Sequence, residues 1–320
     1  ATATAGEPAA TATAPQPTAA ARQTSYPVTI ADCGGRKTTY AAAPRRVVTI
    51  DPSMTELLLT LGLKDRIVGY TEFFPPAQQW SVTRAEMRSL HMINDGSSYP
   101  SKEAVVAARP DLVASVYSYS FADPLPDRAG WDALGVHSYQ ALGSCPPSGK
   151  LPSDFTLLYR DLENLGVIFD VQERAAVEIA AIQARVAALR ARAEASGATA
   201  VRIAPYDGYD KHPTYYGGSE AAVIALAGAS YIWGSLDPAS GQTSWEAFVK
   251  ADPQVIWIVP DAGETVARLE RRHRDGAVGG GKRLIGEEIG DARSPPTWLA
   301  ARGLIIADRN AQQVHHHLEQ

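Results

Sequence analysis

Apolar positions along this chain follow two periods in turn, and the alternation predicts an order of elements. Arg46-Val-Val-Thr-Ile50 is a short β-branched run and predicts a strand. Pro52-Ser53 follows; Ser53 stands in capping-box spacing with Glu56 and predicts a helix over Met54–Leu61, stopped by Gly62. Ile67–Tyr70 predicts a second strand. Ser101 predicts the cap of a helix with Glu103 in its first turn. Pro110 ends that helix, and Asp111–Val116 predicts the strand after it. Leu134–Tyr139 predicts one more strand. Gly and Pro then nearly vanish between positions 153 and 195. Within that stretch Arg174–Glu194 predicts one long helix of roughly 30 Å, with Val177, Ala181, Ala184, Ala188 and Ala191 as its packing stripe. Beyond Ala198 the strand–helix alternation resumes: a strand at Val201–Tyr206, a helix at Glu220–Ala227, a helix at Ser244–Ala251 and a strand at Val255–Val259. Alternating strands and helices imply a parallel sheet with helices on both faces.

One phrase occurs twice, 143 positions apart. Ser101-Lys-Glu-Ala-Val-Val-Ala-Ala-Arg-Pro-Asp-Leu-Val113 returns as Ser244-Trp-Glu-Ala-Phe-Val-Lys-Ala-Asp-Pro-Gln-Val-Ile256, with six of thirteen positions identical. Solenoid periods are ~20–50 residues, so this spacing indicates two lobes of similar build. Two lobes leave a cleft, and clefts between domains are where small molecules bind. The expected order is lobe, long helix, lobe, and a single rigid helix permits only a small opening motion.

The 320 residues suffice for two domains. Hydrophobic content of 45% and charge of 20% fit a globular chain. A net charge of -5 argues against a nucleic-acid partner, which needs a basic stripe. No apolar stretch approaches the ~20 residues that span a bilayer. The first 25 residues are almost entirely Ala, Thr, Pro and Gln and read as a disordered segment. The chain starts at Ala1 rather than Met, which fits removal of a leader. The two cysteines, Cys33 and Cys145, lack the spacing of a zinc site, and no nucleophile arrangement can be read around either. In an exported chain their even number favours a Cys33–Cys145 disulfide, with two free thiols as the alternative.

Arg45-Arg46-Val-Val-Thr-Ile-Asp-Pro-Ser-Met-Thr-Glu-Leu57, Leu61-Gly-Leu-Lys-Asp-Arg-Ile-Val-Gly69 and the two copies of Ser-x-Glu-Ala before Pro and a strand carry a resemblance. In their order and spacing the chain resembles the substrate-binding proteins of ABC importers for vitamin B12, ferric siderophores and haem, and in its Asp-Cys-Gly and Ser-Cys-Pro loops an actinobacterial branch of them. The resemblance covers about Cys33 to Arg268. It implies an α/β fold of two Rossmann-like lobes joined by one long α-helix, with the ligand cleft between them. The implied organisation is a tether over 1–25, an N-terminal lobe over 26–152, linker helices over 153–196 and a C-terminal lobe over 197–270. It further implies a monomer outside the cytoplasm, lipid-anchored at the outer face of the cell membrane. Such a protein delivers a metal chelate to a permease dimer, without catalysis, cofactor or resident metal. Glu103 and Glu246, one per lobe, match the glutamates that dock onto permease arginines, and first-turn carboxylates suit the helix dipole there.

Ligands of open α/β sheets sit beyond the carboxyl ends of the strands. That rule selects Ser53, Glu72, Phe73, Tyr117, Tyr119, Phe121, Tyr206, Asp207, Tyr209, Tyr215 and Asp261, with Trp233 and Trp245 at similar places in the second lobe. Flat rings suit a macrocycle or catecholate. The acidic residues, with few bases beside Lys211, favour neutral or cationic complexes. Haem would need an axial Tyr or His, for which Tyr119, Tyr215, Tyr216, His91 and His212 are candidates.

Enzyme readings are weaker. Gly276-Ala-Val-Gly-Gly-Gly-Lys282 has phosphate-loop spacing, but Arg283 stands where a Ser or Thr must reach magnesium, and no strand precedes it. A tetrapyrrole-binding α/β enzyme of the chelatase kind also has two similar lobes and remains the alternative class. After about Glu270 the family pattern breaks into a basic run, a Gly run and Arg293-Ser-Pro-Pro-Thr. Residues 271–320 are therefore expected to be an atypical tail, divergent or shifted in reading frame, in place of the lobe's usual end.

Overall fold

A computed structural model of the chain describes residues 23–72, 83–94, 99–145, 154–197, 200–206, 214–216, 219–233, 240–258 and 283–286. An antiparallel hairpin of β1 (Val28–Ala31) and β2 (Lys37–Tyr40) opens the first lobe. Then come β3 (Val47–Thr49), α1 (Pro52–Thr60), β4 (Ile67–Tyr70), α2 (Arg84–Met87), α3 (Lys102–Ala107), β5 (Leu112–Ser115), α4 (Arg128–Ala133) and β6 (His137–Gln140). The four later strands form one parallel sheet in the order β4-β3-β5-β6. One core cluster joins α1 to residues of the sheet and the linker through Met54, Leu58, Leu112, Leu162, Leu165 and Ile168. A second cluster packs α3 and α4 on the sheet through Val48, Ile50, Val105, Val113 and Trp131.

Two helices follow, α5 (Thr156–Phe169) and α6 (Gln172–Ala195). They meet at Asp170, whose φ of 60° puts it in the left-handed region that ends a helix. Gly166 lets them approach: a Cβ there would lie 2.8 Å from the Ala175 Cβ. The packing face of α6 differs from the expected alanine stripe. Val177 is 63% exposed, and Ala181, Ala184, Ala188 and Ala191 are exposed too. Ala175, Ile179, Ile182, Val186, Leu189 and Ala193 are buried or half-buried instead. Branched side chains remove more apolar area from water than alanine does, so they take the inward side.

The second lobe comprises β7 (Arg202–Tyr206), β8 (Thr214–Tyr216), α7 (Ser219–Leu226), β9 (Ser230–Tyr231), β10 (Ser240–Gln242), α8 (Trp245–Lys250), β11 (Val255–Ile258) and β12 (Arg283–Gly286). Its parallel sheet runs β12-β11-β7-β9. With strands counted from the first in each lobe, both sheets have the same order. Strand β12 lies in the region expected to be an atypical tail; it adds the fourth strand to this sheet, and the glycine run before it precedes a strand rather than opening a helix.

The repeated phrase is repeated in conformation. Ser101 Oγ accepts from Ala104 N–H and Ser244 Oγ from Ala247 N–H, both at 3.1 Å. Arg109 and Asp252, each before a proline, have φ of 49° and 48°. A residue before proline is disfavoured in the helical region, so each helix stops there and leaves carbonyls without partners. An arginine entering the first sheet strand of the lobe satisfies them. Arg46 donates to Arg109 O (2.8 Å) and Ala108 O (2.6 Å), and Arg202 to Asp252 O (2.6 Å). Asp111 and Gln254, at one position of the repeat, accept from the backbone N–H of those same arginines.

Two local expectations are corrected. The cap of α1 is Asp51, not Ser53: its carboxylate accepts from Met54 N–H, so the helix starts two residues earlier, at Pro52. Met54 stands three residues after Asp51, the spacing at which a cap side chain reaches a free helix N–H, and Asp is among the best caps. The segment Leu134–Tyr139 is a strand only from His137, because α4 runs to Ala133 and Gly135 turns at φ 73°.

A disulfide joins Cys33 to Cys145, Cα atoms 5.3 Å apart and 112 positions apart in sequence. Closing so long a loop stabilises the fold by about 4 kcal/mol through the unfolded chain. Buried polar groups flank it. Asp32, 3% exposed, is held by both terminal nitrogens of Arg128 and by Gln140 N–H. Asp161 of α5 accepts from the Tyr139 hydroxyl (2.6 Å) and from Leu142 N–H (3.0 Å), fixing the turn that carries Cys145. Burial pushes the Asp161 carboxyl up to about 6, against the pull of those donors. Asp32 and Asp51 shift up for the same first cause.

A carboxyl raised by folding stabilises the fold when protonated, and that contribution is lost as pH rises through the folded value. Asp161 alone should make the fold about 1 kcal/mol more stable at pH 5 than at pH 7. Urea unfolding at the two pH values checks this, and Asp161→Asn should flatten that part of the profile.

Candidate functional site

Strand β3 lies between β4 and β5, and the chain leaves it to build on either side. This makes the carboxyl ends of β3 and β5 a topological switch point, where open α/β sheets bind ligands. Asp51 sits there, fully buried. One carboxylate oxygen accepts from Met54 N–H (2.7 Å); the other accepts from Val116 N–H and the Ser115 hydroxyl, each at 2.7 Å. Ser115 Oγ in turn lies 2.8 Å from Ser120 Oγ and accepts from Tyr117 N–H. The turn Ser118–Phe121 is thus fastened to the end of the sheet through one carboxylate.

That turn presents an aromatic shelf. The Tyr117 and Tyr119 rings stack 4.8 Å apart and 12° from parallel, and Tyr99 meets Tyr119 edge-on at 6.1 Å. Tyr119 is 55% exposed, so its ring remains available to a flat ligand. Tyr99 was not foreseen; it stands alone in a loop, and only the fold brings it to Tyr119. Phe121, expected beside these rings, turns inward: it is 7% exposed, packs in the second core cluster and carries the Arg128 guanidinium 5.6 Å above its ring.

Glu72 lies beyond β4 and is 3% exposed. Tyr70 donates to it at 3.4 Å, and Asn94 pairs with its backbone through two hydrogen bonds. Burial pushes its carboxyl up, against the Tyr70 hydrogen bond and the charges of Arg84 and Arg88. Those two arginines escaped the sequence reading, which found few bases at the site; they lie twelve and more residues downstream and return through α2. Among the described residues, Thr71 Oγ1 and Arg84 Nε and Nη2 are buried without a hydrogen-bond partner.

Ser53 is exposed in the first turn of α1. In the second lobe Tyr206 ends β7, Tyr215 lies in β8 opposite Gly241, and Trp245 opens α8. Trp233 is 7% exposed and packs on Phe248 with ring centres 6.0 Å apart, an interior position rather than an open one. Phe73, Asp207, Tyr209 and Asp261 lie outside the described residues. Glu103 and Glu246 are both exposed, each two residues beyond its capping serine. Among the described residues no cluster of His, Cys, Asp and Glu is arranged to hold a metal ion, and no helix is long and apolar enough to cross a membrane.

A family model described as periplasmic binding protein matches residues 47–273, from β3 to beyond β11. The chain belongs to this family. Among its relatives, a cobalamin-binding protein of Halobacterium salinarum is 28% identical over 256 residues, 77% of this chain. The chain covers 63% of that relative's length. An uncharacterised ABC transporter substrate-binding lipoprotein of Bacillus subtilis is 23% identical over 77% of this chain and 73% of its own. The crystal structure of an ABC-type Fe3+-hydroxamate transport system from Saccharomonospora viridis shares the fold, with a TM-score of 0.64 at 23% identity over 88% of this chain and 97% of that one. The two-lobed parallel architecture expected from the repeat is the architecture of the periplasmic binding protein family.

Replacing Asp51 by Asn would exchange an acceptor for a donor facing Val116 N–H and Ser115. Asp51→Asn should cost about 2–3 kcal/mol in urea unfolding. It should also speed amide exchange at Val116 and Tyr117. A loss below about 1 kcal/mol would show that the carboxylate is not what fastens the shelf.

Proposed function

We propose that this chain is an extracytoplasmic solute-binding protein that captures a ferric siderophore or corrinoid-type chelate between its lobes and delivers it to an ABC importer permease. The observation that carries the reading is the tyrosine shelf at the switch point of a lobe whose architecture is repeated across α6. Tyr117 and Tyr119, joined by Tyr99, supply one wall. Ser53, Glu72 and Phe73 are assigned to its rim, and Tyr206, Asp207, Tyr209, Tyr215, Trp245 and Asp261 to the facing lobe. Arg84 and Arg88 beside Glu72 remove the earlier preference for neutral or cationic complexes. The disulfide supports an oxidising compartment, and the lipoprotein relative supports a lipid anchor. In this reading the protein acts as a monomer and performs no catalysis.

Titrating tryptophan fluorescence with cobalamin, a ferric hydroxamate, a ferric catecholate and haemin tests the assignment. Saturable quenching by cobalamin or a ferric siderophore is expected, with Tyr119→Ala weakening it by about tenfold, the loss of one stacking contact. No response to any of the four would defeat the reading. A second reading, haem, draws on the exposed phenol of Tyr119, which suits an axial ligand. A Soret shift lost in Tyr119→Phe would select it.

Glu103 and Glu246 are assigned to permease docking, one from each copy of the repeat. The double variant Glu103→Ala, Glu246→Ala should bind chelate as the unaltered protein does yet abolish uptake in cells. Undiminished uptake would remove the docking role.

A further inference from the structure

Helix α5 belongs to the first lobe, whose core takes Leu162, Leu165, Ile168 and Phe169. Helix α6 leaves it at Asp170 and reaches the second lobe. There a Cβ at Gly228, just past α7, would lie 3.4 Å from the Ala193 Cβ. At 24 residues α6 is about 36 Å long. A tilt of about 10° at its start would therefore move its far end by about 6 Å. The direction in which α6 leaves α5 sets where the second lobe stands.

That elbow is capped from outside. The last carbonyls of a helix have no partner within it. Here the segment before β1 supplies partners: Thr24 Oγ1 donates to Val167 O (2.8 Å) and the Tyr26 hydroxyl to Ile168 O (2.7 Å). Thr24 N–H donates to Asp170 Oδ1 (2.5 Å), on the left-handed residue itself. Gln172, the first residue of α6, donates through Nε2 to Thr24 Oγ1 at 2.6 Å. One threonine thus touches the end of α5, the turn and the start of α6. Along the strap Thr24, Tyr26, Val28 and Ile30 are half-buried at every second position, and the last three pack on the first-lobe core. Nothing in the core demands a threonine and a tyrosine hydroxyl there; three hydrogen bonds at one elbow do.

We propose that Thr24 and Tyr26 are positioning residues that set the angle between the lobes by locking the α5–α6 elbow. Their contribution to ligand capture rests on the reading that the ligand binds between the lobes. Removing the two hydroxyls leaves Ile168 O to water, Val167 O with only the long bond from Asp170 N–H, and Gln172 without its partner, so the departure of α6 loosens while both cores stay intact.

The test uses the full chain with Thr24→Val and Tyr26→Phe combined, and Thr29→Val, on the exposed face of the β1–β2 hairpin, as the control. Encoded spin labels that need no cysteine are placed at positions 106 and 223, both exposed and in different lobes. The double variant should broaden the inter-lobe distance distribution by about twofold, with the control unchanged, as expected when a hinge loses its fixed angle. A distribution matching the unaltered protein overturns the proposal. A lowered unfolding midpoint with an unchanged distribution does so too, since it marks the strap as merely stabilising. Titration with cobalamin, a ferric hydroxamate, a ferric catecholate and haemin is run alongside. If none of the four binds the unaltered protein, the solute-binding reading fails while the distance result still decides the role of the strap.

Discussion

A single buried carboxylate organises the working end of the first lobe. Asp51 accepts from the start of α1, from the end of β5 and from the serine that holds the following turn. Without it the helix would lack its cap, and the tyrosine shelf would lose the acceptor that holds Ser115 and Val116. Burying a charge is unfavourable unless donors surround it. Here the donors come from α1 and from the end of β5, and the carboxylate itself follows β3, so satisfying it brings those three elements together. Structure and site share this interaction, which is why the half-buried ring of Tyr117 and the exposed ring of Tyr119 can be held stacked.

Duplication explains much of what remains. Each lobe stops its repeated helix before a proline, and each sends an arginine from the first sheet strand to the carbonyls thus freed. The clamp is needed wherever that stop occurs, so it appears twice. What surrounds the site is not duplicated. The first lobe carries the tyrosine shelf, while the second places the antiparallel pair β8–β10 beside its parallel sheet.

Legibility varied with the range of the interaction. The repeat, the parallel sheets and the helix ends at Pro110 and Pro253 could be read because periodicity and proline act locally. The cap of α1 was misread because Ser53 fits the local pattern, whereas Asp51 is recruited by donors from β5, 64 residues away. The face of α6 was misread because a stripe of alanines is as periodic as the stripe of Ile, Val and Leu beside it. Arg84, Arg88 and Tyr99 went unnoticed because nothing in their own neighbourhoods sets them apart.

The sequence by itself determined the class of fold, the two-lobe order and the positions of Glu103 and Glu246 in first helical turns. Each of these follows from local period or from comparing one stretch with another. Only the tertiary structure decided which aromatics face outward, that Phe121 and Trp233 are interior, and that Thr24 and Tyr26 reach the elbow of the linker. Those outcomes depend on which distant groups compete for the same donor or the same buried space, and that competition exists only once the chain is folded.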